Sequence, residues 1–314
     1  MKIVEPEFNS FVQMLELLPD EQACRNFLEL VRWDNIPTCP HCGSVNETHY
    51  KLKVKGEFTG LYKCKDCRER FTVTVGTIFE GSHIPLRKWF IGVYIFASHK
   101  KGISSVQLGK DLDITQKSAW FMLGRIRYSF KPKSIPKITK PVQVDETFVG
   151  GKNENRHKDK KVPKSQGRST KDKTPVFGIM SDGQVNTEVV PNTQQKTLQP
   201  IIKRMVEKGT IVVSDEWGGY NGLGKQYNHK VVKHNEDQFV KDGFHTNGIE
   251  GFWSLLKRGI FGIYHHVSRK HLNEYCDEFA FRYNTRGLGD ADRFSLSLGN
   301  VSEKISYKKF ISKE

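Results

Sequence analysis

The sequence has no run of about eighteen apolar residues, so no segment reads as a membrane-spanning helix. Its first residues, MKIVEPEFNSFV, lack a basic start followed by an apolar core, which argues against a secretory signal. Cysteine is sparse: there are six, and four of them fall in two CxxC pairs, which argues for metal rather than disulfides. Acidic residues are short against basic ones, 35 Asp plus Glu facing 50 Lys plus Arg for a net charge of +15. Such a surplus favours a polyanionic partner, most often nucleic acid. What is present, 37% apolar and 11% aromatic residues in 314, suffices for a folded core and excludes a disordered chain. The length suits two or three domains.

Residues 1–35 read as short amphipathic helices, FVQMLELLPD and EQACRNFLELVRW. The stretch 36–80 carries the knuckles Cys39/Cys42 and Cys64/Cys67, 21 residues apart, with alternating strand-like runs YKLKV, GLYKC and RFTVTV between and after them. This is the pattern of a zinc ribbon, in which four thiolates hold Zn²⁺ tetrahedrally and replace a core too small to stand alone. His41, inside the first knuckle, reads as a bystander, and Cys24 and Cys276 as core thiols. Residues 84–130 form three helical patterns, and the last two, around a turn capped at Ser104 or Ser105 and at Thr115, suggest a helix-turn-helix. Gln116, Lys117, Arg125 and Arg127 on its second helix are then the candidate DNA contacts, against the alternative of a plain packing unit with solvated charges. The run 131–141, KPKSIPKITKP, with three prolines and four lysines, marks a stiff basic linker.

Beyond the linker, residues 142–290 switch to strand periodicity. PVQVDETFVGG and TIVVSDEWGGY are apolar strands interrupted or ended by Asp145 and Asp215. TPVFGIMSDGQVNTEVVPN is a hairpin turning at Asp182-Gly183, and TLQPIIKRMVEKG an amphipathic helix ending at Gly209. HKVVKH is a short strand, and two long helices span 246–264 and 269–286. This order predicts an α/β RNase H-like domain with a mixed sheet, so the whole chain is multidomain, with 291–314 left as a tail. A carboxylate in an apolar strand costs several kcal/mol unless neutralised. Asp145 and Asp215 together are therefore candidate ligands for Mg²⁺ or Mn²⁺, which prefer hard oxygen donors. In HTNGIEGFWSLLKRG, Ile249, Phe252, Trp253 and Leu256 make an apolar stripe bordered by a polar line of Asn247, Glu250, Ser254 and Lys257. Glu146 and Glu216 each follow an Asp and point the other way in a strand. Lys257 and Arg258, and the run 151–173 with nine Lys or Arg and three acids, are candidate phosphate contacts. His265, His266 and Arg269 are weaker ones.

VDETFVGG, VVSDEWGGY, HTNGIEGFWSLLKRGIFGIYHH and HLNEYCDEFAFRYNTR resemble the DDE transposases of bacterial insertion sequences, in the group with an N-terminal zinc ribbon that is related to the eukaryotic Merlin elements. The resemblance covers about residues 12–290. It implies a transposase that binds the terminal inverted repeats of its element, cuts the ends and joins them to target DNA. It implies Asp145, Asp215 and Glu250 as the acids, the last following Asp215 after 34 residues. Some members of the group carry an Asn third. Asn247 lies one turn before Glu250 on the same helix face and would line the same site. Glu250 is preferred because a carboxylate binds Mg²⁺ more strongly than an amide. The family mechanism implies two Mg²⁺ ions, about 4 Å apart, clamped by these side chains. It also implies double-stranded DNA as partner, a homodimer or higher assembly on that DNA, and a place at the nucleoid in the cytoplasm, or in a nucleus if the host has one. The competing readings are a nuclease of the same fold and a non-mobile, domesticated DNA-binding protein. The ribbon and helix-turn-helix argue against the first, and the intact acid set against the second.

Overall fold

The computed structural model describes residues 8–131, 136–150, 157–163, 165, 169–232, 244–301 and 305–311. They form two compact units, residues 1–130 with 287–314, and residues 131–286. No helix among the described residues is long and apolar enough to cross a membrane.

The first unit opens with helices α1 (Phe11–Leu17) and α2 (Glu21–Trp33), whose N-termini are capped by the side chains of Ser10 and Asp20. A three-stranded antiparallel sheet follows, β1 (Tyr50–Val54), β2 (Glu57–Lys63) and β3 (Arg70–Phe71). Then come α3 (Leu86–Ser98), α4 (Ser105–Asp111) and α5 (Gln116–Ser129). α3 begins without a side-chain cap of its own. Glu21 of α2 accepts the Leu86 and Arg87 N–H groups at 2.8 and 3.1 Å and supplies the missing negative charge there. α4 approaches the start of α5 so closely that a β-carbon on Gly109 would sit 3.1 Å from the Ile114 carbonyl.

Two helices from the far end of the chain finish this unit, α9 (Asp290–Gly299) and α10 (Tyr307–Ile311). Phe294 of α9 is fully buried among Phe8, Phe27, Phe90 and Tyr94, and the Arg293 guanidinium donates to the Ala97 carbonyl at 3.2 Å. The structure thus differs from the expectation of a C-terminal tail over 291–314. The apolar spacing of Phe294 and Leu298 serves a core whose other walls lie about two hundred residues earlier.

The second unit is a three-layer α/β fold. Its strands are β4 (Val142–Val149), β5 (Thr174–Ser181), β6 (Gln184–Val189), β7 (Ile211–Ser214) and β8 (Asn228–Val231), in the order β6-β5-β4-β7-β8. β4, β5 and β6 pair antiparallel, whereas β4–β7 and β7–β8 are parallel, so the sheet is mixed. The β5–β6 turn falls at Asp182 and Gly183, both at positive φ, which suits a two-residue hairpin. Helix α6 (Gln195–Met205) covers one face through Leu198, Ile201 and Ile202. Helices α7 (Asn247–Gly259) and α8 (Leu272–Asn284) cover the other through Ile249, Phe252, Leu256 and Phe279. α8 also closes the β6 edge: Asn284 both accepts from and donates to Val185, at 2.8 and 2.9 Å, and Asn273 accepts from the Val189 N–H. The first long helix expected at 246–264 is α7 followed by a π-helical turn, Ile260–Tyr264. α6 ends at Met205, four residues before the expected Gly209. Residues 132–135 of the linker, 233–243 after β8, and 151–156, 164 and 166–168 of the basic run lie outside the described residues.

Candidate active site and metal cluster

β4 and β7 pair at Val142–Val212 and Gln143–Val213, so Asp145 and Asp215 stand in matching register two residues further along. Alternation along β4 sends Val142 and Val144 into the core under α6, and Gln143 and Asp145 toward α7. α7 is fixed onto that strand by two bonds. Its Ile249 N–H donates to Gln143 Oε1 at 3.1 Å, and the Trp253 indole N–H donates to Asp145 Oδ2 at 2.9 Å. The indole lies over Gly178 of β5, which pairs directly with Asp145; a β-carbon there would fall 2.7 Å from the ring. Gly178 is therefore a strand glycine required by close approach.

Asp145, Asp215, Glu250 and Thr246 line one cavity of about 260 Å³. A neutral donor orients each carboxylate. The Trp253 N–H holds Asp145, the Trp217 backbone N–H donates to Asp215 Oδ1 at 3.0 Å, and the buried Thr246 hydroxyl donates to Glu250 Oε1 at 2.6 Å. Asn247 is exposed and is not part of that lining. Lys257 is half-buried on the same side of α7. Burial pushes its pKa down, while the Asp145 carboxylate favours its charged form and Lys173 opposes it. Arg258 is exposed, with its Nε on the Ser254 carbonyl at 3.2 Å.

The opposite face of β4 explains the rest of DEWGGY. Glu146 is buried and accepts the Tyr220 hydroxyl at 2.6 Å. Trp217 Nε1 donates to the Thr193 carbonyl at 2.8 Å, and Gly219 passes so close to both that a β-carbon would sit 2.7 Å from each. The chain leaving β7 is thereby tied to β4 and to the start of α6, which fixes where Asp215 emerges. Glu216 is exposed.

In the first unit, the sulfurs of Cys39, Cys42, Cys64 and Cys67 all lie within 4.8 Å of one another. Cys39–Cys67 and Cys42–Cys64 are 3.7 and 3.6 Å apart. Four thiolates about 2.3 Å from one Zn²⁺ would be about 3.8 Å apart in a tetrahedron, so the cluster fits zinc. Buried His49 ties the two knuckles together: its Nε2 lies 3.2 Å from the Ser44 carbonyl, and its Nδ1 accepts the Lys65 N–H at 3.3 Å. His41 is exposed.

Two expected DNA contacts are corrected. Arg125 and Arg127 are only 6% and 3% exposed. Arg125 donates to the Ile78 and Glu80 carbonyls at 2.6 and 3.2 Å and lies over Phe121, and Arg127 lies over Phe96. α5 is enclosed on more than one side, so long stems pack inside it and their heads find protein acceptors. Gln116 and Lys117 are exposed at its start, with Gln116 on the Ser105 hydroxyl and Lys117 over the Tyr307 ring. The roles of Trp253, Thr246, Gln143 and His49 as supports of these sites do not show in the sequence. Two glycines mark these approaches in the sequence: Gly178, inside an apolar strand under Trp253, and Gly248 on α7, against Gln143.

Residues 137–284 match the ISXO2-like transposase domain, and residues 19–70 the transposase zinc-ribbon domain. An uncharacterized protein in transposable element ISH50 of Halobacterium salinarum is 28% identical over 276 residues, covering 83% of this chain and 90% of that one. An uncharacterized transposase-like protein of Haemophilus influenzae is 33% identical over 101 residues, 32% of this chain and 80% of that one. A solved structure, a pre-cleavage Mos1 transpososome, aligns over 68% of this chain and 79% of that one at 13% identity and a TM-score of 0.25.

Proposed function

The chain belongs to the ISXO2-like transposases of insertion sequences, with their N-terminal zinc ribbon, and we propose that it binds the DNA ends of its element, cleaves them and joins them to target DNA with divalent-metal assistance. The observation that carries this is the convergence of Asp145, Asp215 and Glu250 on one cavity, each oriented by a neutral donor. The strand order β6-β5-β4-β7-β8, with its antiparallel and parallel halves meeting at β4, supports an RNase H-like catalytic domain. α4, the short turn and α5 support a helix-turn-helix reading, with Gln116 and Lys117 as its DNA contacts. Two copies on two DNA ends, working at the nucleoid, complete the proposal.

The donor set suits Mg²⁺ or Mn²⁺, since all three side chains offer hard oxygens. Such ions, when bound, supply activation of the attacking oxygen and charge neutralisation at the leaving one. The chain supplies the alignment. Trp253 and Gln143 register α7 on β4, and Thr246 fixes the Glu250 rotamer. Trp217 and Tyr220 fix the exit of β7, and Lys257 offers a cation to a DNA phosphate next to the acids.

The test is strand cleavage and joining on a duplex carrying the element's own ends, with Mg²⁺ or Mn²⁺, products resolved on a gel. Glu250→Ala is expected to abolish both steps, and Asn247→Ala only to weaken them. The reverse pattern would move the third ligand to Asn247. Tight binding without cleavage under either metal would leave a DNA-binding protein. Trp253→Phe removes the N–H on Asp145 together with the outer part of the indole that lies over Gly178. It is expected to slow cleavage by about tenfold to a hundredfold, the scale of a small misplacement, and to lower the melting temperature through the void it leaves without unfolding the protein at the assay temperature. An unchanged rate would show that Trp253 only packs.

A further inference from the structure

Glu250, Ser254, Lys257 and Phe261 are spaced four, three and four residues apart, so they lie along one side of α7 and its continuation. The stripe starts at the acidic cavity as a carboxylate and continues as a hydroxyl and an ammonium. It ends in a phenyl ring that is 46% exposed, although its neighbour Ile260 is buried. The backbone under that ring is unusual. α7 runs into the π-helical turn Ile260–Tyr264, and His265 follows at φ 58°, ψ −49°, with the His266 N–H on the Tyr264 carbonyl at 2.6 Å. π-turns gather at functional sites, and a bulky residue at positive φ is strained unless its surroundings hold it. Here they do. The Tyr264 hydroxyl donates to Glu278 Oε1 at 2.7 Å, inside the buried Glu278–Arg282 pair, and its ring meets Tyr275 edge-on at 4.7 Å. The turn is anchored inward by Tyr264 and presents Phe261 outward, with Arg258, His265 and His266 exposed in the same segment.

We infer that this stripe is a track for one DNA strand leading away from the reacting phosphodiester, with Ser254 and Lys257 on its phosphates and Phe261 stacked on a nucleobase. The inference rests on the transposase reading and adds to it a base-stacking residue and a strand path. A helix rises about 1.5 Å per residue, so Phe261 lies roughly 16 Å along α7 from Glu250. A strand advances about 3.4 Å per nucleotide, which puts the stacked base about five nucleotides from the reacting bond. Inside a duplex both faces of a base are covered, so the ring requires a base that is unpaired or opened at that step. Charge decides the occupant: an exposed ring preceded on its own helix by Lys257 and Arg258 fits a polyanion with aromatic faces better than an apolar protein surface.

The test uses the full chain and three fluorescent DNAs of one mixed sequence: a blunt duplex, and duplexes with six unpaired nucleotides at the 3′ or the 5′ end. Wild type is expected to favour one extended duplex over the blunt one in anisotropy titrations. Phe261→Ala should weaken binding to that extended duplex roughly tenfold, within the range for one stacked base, and leave the blunt duplex unchanged. Phe261→Trp should keep the preference. Because nearly half of Phe261 is exposed, all three proteins should stay folded at the assay temperature, which circular dichroism checks. Phe261→Ala that binds every DNA as wild type does, or that loses all of them equally, overturns the track. If the wild type binds none of the DNAs, the transposase reading falls as well. If the wild type binds and cuts its element's ends while Phe261→Ala keeps the preference, the stacking alone is wrong.

Discussion

Stripping the metal from Cys39, Cys42, Cys64 and Cys67 is expected to unfold the ribbon while the helices of the same unit stay folded. The ribbon sheet has one strand of only two residues, and its buried apolar set is little more than Tyr62, Phe71 and Val73. Structural zinc in small domains contributes about 10–16 kcal/mol, far more than such a core can replace. The helical part has its own aromatic core around Phe90 and Phe294, so it does not depend on the metal. Chelator titration, followed by limited proteolysis and mass spectrometry, should expose cleavage sites between residues 40 and 70 first. Cys64→Ser should do the same without chelator. His49→Ala should lower the chelator concentration required, because His49 joins the knuckle around Ser44 to the one around Lys65. A ribbon that resists proteolysis with its zinc removed would refute this account.

Asp145→Asn and Asp215→Asn are each expected to reduce metal-dependent cleavage by at least about a thousandfold, since several kcal/mol of charge stabilisation is lost at about 1.36 kcal/mol per tenfold. The substitutions are nearly isosteric. An amide oxygen can still accept from the Trp253 indole or the Trp217 backbone N–H, so folding should survive. Stability without metal should hold or rise, because two carboxylates facing one cavity repel each other. Calorimetric titration with Mn²⁺ gives a second readout, with weaker binding in both variants. Activity within tenfold of wild type in either variant would remove that aspartate from the reaction.

Much of this was legible because the chemistry leaves local marks. Two CxxC pairs 21 residues apart admit few explanations, and aspartates interrupting apolar strands announce a cost that something must offset. Asp182-Gly183 carries its turn in its own backbone preference. Arg125 and Arg127 look like surface cations in the sequence because a count of cations cannot show which ones tertiary packing will enclose. Trp253 looked like one more member of an apolar stripe, and it is one. Its second role, the N–H on Asp145, depends on the register of α7 against β4, set by Gln143 more than a hundred residues away. α9 was hidden for the same reason, since nothing local in DADRFSLSLG points to α3.

The first unit takes its last walls from α9 and α10, after the whole second unit has been threaded. During synthesis the ribbon and the first five helices therefore leave the ribosome with an open seam where Phe294 will sit, and residues 131–286 have emerged before it closes. A nonsense or frameshift mutation between Glu250 and Phe294 would still cost the first unit this wall. Fragments of such a gene would not yield a well-folded first unit.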